Sequence, residues 1–157
     1  MTRREMLAHI SRAIGLTVAG LVGVPAVVYG ISPAVRGRPE TQWLPLGPLA
    51  DFPVGAMRES ALAVPASDWG TPTRKGVYVW RQGEAEWVVF SRACTDLGCP
   101  VRFDPGAEVF FCPCHGGIFA KDGQRMAGPP KRPLYRYATR LRDGQVEIDL
   151  SSIPPMA

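Results

Sequence analysis

Hydrophobic and polar positions divide this chain into two regions of different character. Residues 13–35 contain no charged side chain, and all of them are apolar or small. The helix of a soluble domain normally carries a polar stripe, which this segment lacks. Because about 20 apolar residues are enough to cross a bilayer, the pattern predicts a transmembrane helix at 13–35.

Beyond residue 36 the pattern changes to short runs of strand length. These runs are rich in Val, Phe, Tyr and Trp, which favour strands, and turn signals such as Asp-Gly lie between them. No stretch of useful length has helical periodicity. The runs are ESALAV, VYVW, EWVVF, EVFFC, YRYATRL and QVEIDL. We therefore predict an all-β domain, a small antiparallel sandwich or barrel connected by hairpins.

The boundaries between regions follow from charge and from proline content. Residues 1–12 form a basic flank, 13–35 the membrane anchor, 36–48 a linker and 49–157 the β domain. The linker sequence, RGRPETQWLPLGP, contains prolines and glycines that disfavour both helix and strand. We expect it to connect the anchor to the outer domain without regular structure.

The basic flank indicates the direction in which the anchor is inserted. Positive flanks stay in the cytoplasm, so we expect a single-pass protein of the cytoplasmic membrane with residues 36–157 on the periplasmic or extracytoplasmic side. The stretch TRREML resembles the twin-arginine export signal, with Arg3 and Arg4 ahead of Met6 and Leu7. An ordinary basic flank would give the same orientation. No convincing cleavage site follows, and we expect an uncleaved anchor.

Charge argues against a nucleic-acid partner. The chain carries a formal net charge of +4, but of its 18 Lys and Arg residues three lie in the first twelve positions. The later chain therefore has 15 basic against 13 acidic side chains. A nucleic-acid binder needs a clustered basic face, and the five basic residues between Lys131 and Arg142 are spaced as on a solvated surface.

Candidate chemistry is concentrated in one segment. All four cysteines lie between positions 94 and 114, and His115 follows directly, whereas the other histidine, His9, lies in the flank. Four cysteines in an exported domain are compatible with two disulfides, and a zinc site is another alternative. The CxC pair, however, is closer than the spacing of structural zinc sites. The pattern favours one metal-binding cysteine in each loop, with the other pair bonded to each other.

The two cysteine motifs carry a resemblance to a known family. CTDLGC at 94–99 and CPCHGG at 112–117 resemble the two boxes, CTHLGC and CPCHGS, of the Rieske iron–sulfur proteins. The order of elements resembles that of the membrane-anchored Rieske subunits of bacterial quinol–cytochrome c oxidoreductases, and a proline-rich loop, GPPKRP at 128–133, completes it. The resemblance implies a β fold of Rieske type that holds a [2Fe–2S] cluster.

The resemblance also implies a role for each residue of the two boxes. Cys94 and Cys112 match the thiolate ligands of one iron, His115 matches a histidine ligand of the other, and Cys99 and Cys114 match a disulfide. Asp96 stands where the family has its first histidine. Its Oδ atom is as many bonds from Cα as a histidine Nδ1, and ferric iron accepts oxygen donors. We therefore expect Asp96 to bind the second iron. A cluster with another fourth ligand, such as water, is the alternative.

These substitutions imply a lowered reduction potential. A carboxylate in place of a neutral imidazole makes the cluster more negative and harder to reduce. Gly117 and Phe119 stand where the family has serine and tyrosine, whose hydroxyls donate to the cluster sulfurs and raise the potential. We expect a low-potential centre suited to menaquinol.

The family resemblance implies a complete function. The protein is expected to take an electron from quinol, with His115 as the quinol contact, and to pass it to a cytochrome in a respiratory or photosynthetic membrane complex. The implied partners are a cytochrome b-type membrane subunit and a cytochrome c-type acceptor. Two alternatives remain open: a Rieske-type subunit of another membrane-anchored oxidoreductase, and a structural subunit without a cluster.

Overall fold

A computed structural model describes residues 2–35, 41–66 and 71–154. The chain divides into two compact units at about residue 39. The first unit is a helix and the second is a β domain. The part of the predicted linker at 36–40 lies outside the described residues.

The first unit is helix α1, which spans Arg3–Val35. The predicted transmembrane segment lies inside it, and Arg3–Ser32 is long and apolar enough to cross a membrane. The helix begins ahead of that segment because Thr2 and Glu5 form a capping box: the Thr2 N–H donates to Glu5 Oε2 at 2.8 Å, and the Glu5 N–H donates to Thr2 Oγ1 at 3.3 Å. The use of this segment as a twin-arginine signal stays a prediction.

The second unit is built from three small antiparallel sheets, which confirms the all-β prediction. The sheets have the strand orders β1-β10-β9, β2-β3-β4 and β5-β6-β7-β8. The strands are β1 (Trp43–Pro48), β2 (Met57–Val64), β3 (Thr73–Arg81), β4 (Trp87–Ser91), β5 (Arg102–Asp104), β6 (Val109–Cys112), β7 (Gly117–Ala120), β8 (Arg125–Ala127), β9 (Ala138–Arg142) and β10 (Gln145–Asp149). Short 3₁₀ turns follow β1 and β10, at Leu49–Asp51 and Leu150–Ser152.

Strand β1 corrects one expectation. It occupies Trp43–Pro48, inside the segment predicted to form neither helix nor strand. The prolines are tolerated because β1 pairs on one side only, with β10, and a register shift lies between Pro45 and Gly47. A proline without an N–H does little harm at an edge or a bulge. The β domain therefore takes in the second half of the predicted linker.

Strand β3 is buried on both of its faces. Successive side chains of a strand point in opposite directions, and Val77 and Val79 enter one core while Tyr78 enters another. The first core lies against the sheet of β1, β9 and β10, and it contains Val146 and Ile148. The middle sheet therefore separates two hydrophobic cores.

The second core places an aromatic layer beneath the cysteine motifs. Phe110 stacks edge-on against Tyr78 and Phe90, with ring centroids 5.3 and 5.5 Å apart. The same cluster includes Cys94 and Cys112. Edge-to-face aromatic pairs add about 0.5–1.5 kcal/mol beyond the burial of their area. The two cysteines thus rest on a rigid, water-excluding base.

The buried carboxylate of Asp149 binds the backbone at the end of the last strand, β10. Oδ1 of Asp149 accepts hydrogen bonds from the N–H of Gln42 at 3.0 Å, the N–H of Ser151 at 2.9 Å and Oγ of Ser151 at 2.7 Å. Burial acts to raise the pKa of Asp149, but these hydrogen bonds together with Arg140 outweigh it, and the pKa lies below its ordinary value of 3.8. The ionised carboxylate therefore stabilises the fold.

We expect Asp149→Ala to lower the free energy of unfolding at pH 7 by about 2 kcal/mol, because buried donors lose their acceptor. The depressed pKa means that the contribution is present above about pH 4 and is lost as the pH falls through the folded-state pKa. Denaturant titrations of the detergent-solubilised chain at pH 7 and pH 3 measure the difference. Asp51→Ala, which removes an exposed carboxylate, is the control. A wild-type advantage that stays constant or grows toward pH 3 would contradict this assignment.

Candidate metal centre

The first cysteine motif is a closed loop between β4 and β5. The N–H of Cys94 donates to the carbonyl of Cys99 at 2.8 Å, and the N–H of Gly98 donates to the carbonyl of Cys94 at 3.0 Å. Gly98 has a φ of 73°, in the left-handed region that glycine adopts without strain. These hydrogen bonds lie within the loop, so they hold its shape independently of the second motif.

The second motif forms the tight turn between β6 and β7. Cys112 is the last residue of β6 and pairs with Gly117, the first residue of β7. The N–H of Gly116 donates to the carbonyl of Cys112 at 3.1 Å, and Gly116 has a φ of 73°. The turn therefore projects Cys114 and His115 outward while Cys112 stays in the core.

A disulfide joins the two loops, as the family resemblance implied. It links Cys99 to Cys114 with the Cα atoms 6.5 Å apart. Cys94 and Cys112 remain free thiols, and both are buried. The sulfurs of Cys99, Cys112 and Cys114 lie within 4.8 Å of one another, but the bonded pair has no thiolate to offer. Of these three, only Cys112 is available to a metal.

Burial affects the protonation of the free thiols. The pKa of the Cys94 thiol is raised to about 11, mainly by burial. The backbone N–H of Asp96 acts to lower the pKa, and the neighbouring Cys112 also acts to raise it. With this pKa the Cys94 thiol is protonated at neutral pH. Binding of a metal would displace the thiol proton and leave a thiolate.

Asp96 and His115 face each other across the two loops. Oδ2 of Asp96 lies 3.3 Å from Nδ1 of His115, and the side chains are 29% and 47% exposed. Two donor atoms held about 2.1 Å from one tetrahedral ion lie roughly 3.4 Å apart. The observed spacing therefore fits a carboxylate oxygen and an imidazole nitrogen on the same iron.

The combined donor set fits the predicted two-iron cluster. Soft, buried thiols lie on the inner side, where the resemblance assigns one iron, and a hard carboxylate with an imidazole lies at the rim. A cavity of about 480 Å³ opens beside the first motif. It is lined by Cys94, Thr95, Asp96, Leu97, Gly98, Tyr135 and Pro154. Of the four predicted ligands, Cys94 and Asp96 line this cavity, whereas Cys112 and His115 do not. The role of the four residues as ligands stays a hypothesis.

The proline-rich loop packs directly onto the second motif. A Cβ atom added to Gly128 would lie 2.6 Å from the carbonyl oxygen of Gly116, and Gly128 has a φ of 89°. On the other side of the loop, Oγ1 of Thr95 donates to the carbonyl of Arg132 at 2.8 Å. This contact of Thr95 was not predicted, because nothing in a sequence marks a hydroxyl that donates to a distant backbone carbonyl.

Gly117 and Phe119, where the family has hydroxyl side chains, are both buried. A Cβ at Gly117 would lie 2.8 Å from Cγ of Pro130. The ring of Pro130 thus occupies the space into which a serine side chain would extend. Phe119 is fully buried in the aromatic core. The packing of the loop therefore leaves no room for a hydroxyl side chain at position 117.

Comparisons with known proteins point in one direction. The profile of the Rieske [2Fe-2S] domain matches residues 42–138. The cytochrome b6-f complex iron-sulfur subunit of Chlorobaculum tepidum is 30% identical over 149 residues, which cover 95% of this chain and 76% of that protein. The menaquinol:cytochrome c reductase iron-sulfur subunit of Geobacillus thermodenitrificans is 25% identical, over 94% of this chain and 90% of its own length.

A solved structure agrees at the level of the fold. The soluble domain of Rieske protein II from Sulfolobus acidocaldarius superposes with a TM-score of 0.51 and 16% sequence identity, over 72% of this chain and 79% of that one. At this level of identity the likeness concerns the arrangement of strands and carries nothing about ligands or partners.

We expect Gly128→Ala to be destabilising because its Cβ would meet the backbone of Gly116. Gly144→Ala is the matched control, since Gly144 also has a positive φ, of 74°, but has nothing within 4 Å of an added Cβ. Both variants carry backbone strain of about 1–2 kcal/mol, and only the first adds a steric clash of about 1–3 kcal/mol. Denaturant titration measures the difference, and equal losses in the two variants would contradict the packing described above.

Proposed function

The chain belongs to the Rieske [2Fe–2S] iron–sulfur family, and on that premise we propose that it is the electron-transfer iron–sulfur subunit of a membrane quinol:cytochrome oxidoreductase. The family profile covers most of the β domain. The two relatives described above, which align with this chain over more than nine-tenths of its length, are both iron-sulfur subunits. One is named for a cytochrome b6-f complex and the other for a menaquinol:cytochrome c reductase. The protein is one subunit of an enzyme and is not catalytic alone.

One observation carries the proposal most directly. Oδ2 of Asp96 and Nδ1 of His115 lie 3.3 Å apart at the rim of a site whose inner wall holds two buried free thiols. We assign Cys94 and Cys112 to one iron and Asp96 and His115 to the other. This division retains the two-sulfur, two-rim-ligand pattern of the family and changes one of the rim ligands.

The residues of this chain supply the proton chemistry. With Nδ1 of His115 directed to Asp96, the other ring nitrogen, Nε2, is left to accept a hydrogen bond from a quinol hydroxyl and then its proton. The side chain is 47% exposed, which allows this contact. Asp96 has no second titrating atom of this kind, so His115 carries proton transfer alone. A [2Fe–2S] cluster held by Cys94, Cys112, Asp96 and His115 would supply the one-electron transfer.

The ligand set favours an electron donor of low potential. The Asp96 carboxylate adds a negative charge, and neither Gly117 nor Phe119 offers a hydroxyl to the cluster sulfurs. Both changes make electron acceptance less favourable. An electron-rich quinol such as menaquinol is therefore the donor that we propose for this site.

The remaining partners follow from the place of such a subunit in a complex. We propose a cytochrome b-type membrane subunit as the structural partner and a cytochrome c-type protein as the electron acceptor. Helix α1 provides a single-pass anchor, with the basic flank in the cytoplasm and the iron–sulfur domain on the periplasmic side. Co-purification with a multi-span cytochrome b distinguishes this assignment from a Rieske subunit of another oxidoreductase.

We expect His115→Ala to reduce quinol oxidation by the assembled complex at least about 100-fold, because it removes both a ligand and the group that accepts the proton. Iron and sulfide content and the EPR spectrum of the dithionite-reduced protein are measured on the same samples. His9→Ala is the control, since it removes the only other histidine of the chain. Quinol oxidation that survives the loss of His115 with the cluster intact would refute the mechanism.

We expect Asp96→His to raise the reduction potential of the centre. The substitution replaces a carboxylate with a neutral imidazole of the same reach, so the reduced form carries one negative charge fewer. Potentiometric titration followed by EPR measures the shift, and the spectrum reports whether nitrogen has replaced oxygen at the iron. A potential equal to or below that of the wild type would show that Asp96 is not a ligand.

A further inference from the structure

Arg125 holds the proline-rich loop at two points. Its Nε donates to the carbonyl of Pro130, and its Nη2 donates to the carbonyl of Gly128 at 2.8 Å. The planar guanidinium carries several donors in a fixed arrangement, so one side chain can bind two carbonyls at once. Arg125 therefore closes residues 128–130 into a fixed shape.

The fixed loop determines the position of the backbone next to His115. A Cβ at Gly128 would meet the carbonyl oxygen of Gly116 at 2.6 Å and Cα of Gly117 at 2.7 Å, so the two backbones are in direct contact. Pro130 is buried against Gly117. Because Gly116 follows His115 in the chain, a shift of the loop would free the peptide that orients the imidazole.

The same loop also reaches the first motif. The carbonyl of Arg132 accepts the hydrogen bond of Thr95 Oγ1 at 2.8 Å, and Thr95 directly precedes Asp96. One loop thus contacts the neighbour of each rim residue, Asp96 on one side and His115 on the other.

We infer that Arg125 is a positioning residue: by clamping the proline-rich loop onto Gly116 and Gly117, it fixes the imidazole of His115 opposite Asp96. This inference rests on the proposed function, in which these two side chains bind the second iron. The hydrogen bonds of the Arg125 side chain go to the backbone of the proline-rich loop. Arg125 acts on His115 through the backbone of the loop. Its effect therefore depends on the two hydrogen bonds that its side chain donates to that backbone, and not on its charge alone.

Three variants separate the clamp from a general loss of charge. Arg125→Met keeps the length of the side chain and removes every donor, while Arg125→Lys keeps the charge and restores a single donor group. Arg102→Met is the control, because Arg102 is an exposed arginine of the same four-stranded sheet and its side chain forms no hydrogen bond or ion pair within the described part of the chain. All are made in the full-length chain, in detergent.

We expect the EPR spectrum of reduced Arg125→Met to broaden, and its cluster to be lost to an iron chelator about tenfold faster than in the wild type, as for other groups that support metal ligands. Arg125→Lys should be intermediate and Arg102→Met unchanged. Hydrogen exchange at the amide of Gly116, which donates to Cys112, should be faster in Arg125→Met while the midpoint of global unfolding stays near that of Arg102→Met.

The outcomes distinguish this inference from the function on which it rests. A wild-type protein that binds iron and sulfide but gives no [2Fe–2S] spectrum overturns the proposed function. A normal wild-type spectrum, with Arg125→Met matching Arg102→Met in line shape, chelator rate and exchange, overturns the role of Arg125 alone. A uniform loss of stability, with an unbroadened spectrum in the folded fraction, also overturns it, because that result describes a merely structural residue.

Discussion

The site depends on two loops being held face to face, and the Cys99–Cys114 disulfide is the covalent bond that holds them. Each loop contributes one of the two buried free thiols and one of the two rim residues that we propose as ligands, so the proposed cluster site needs both loops. A crosslink across about 15 residues lowers the entropy of the unfolded chain, which raises the free energy of unfolding by roughly 3 kcal/mol in the chain-entropy model. It also keeps Asp96 opposite His115, which is the geometry on which the assignment of the second iron rests.

The disulfide can act in this way because the two loops stand on one aromatic layer. Phe110 lies on β6, the strand that ends at Cys112, and its ring packs against Tyr78 of the middle sheet. The opposite face of that sheet belongs to the other core. Since both faces are packed, the sheet has little freedom to shift. The loops that rest on it are therefore held in place.

Much of this arrangement could be predicted from the sequence, because it depends on local patterns. The strand runs and the anchor follow from spacing and residue type, whereas the pairing of Cys99 with Cys114 followed from the family resemblance. Strand β1 could not be predicted, since its prolines are tolerated only at an edge that exists after folding. The contacts of Arg125 and Thr95 were also missed. They end on backbone carbonyls, which every residue possesses and no sequence pattern marks.

The two departures from the family pattern are unequal in structural terms. Asp96 lies at the rim, partly exposed, where one side chain of similar reach can replace another without repacking. Gly117 is different, because the space beside it is filled by Pro130, and Pro130 is held in turn by Arg125. A serine there would need the ring of Pro130 to shift. The charge of the proposed ligand set is therefore open to change at a single position, whereas the missing hydroxyl at position 117 goes with the position of Pro130 in the adjoining loop.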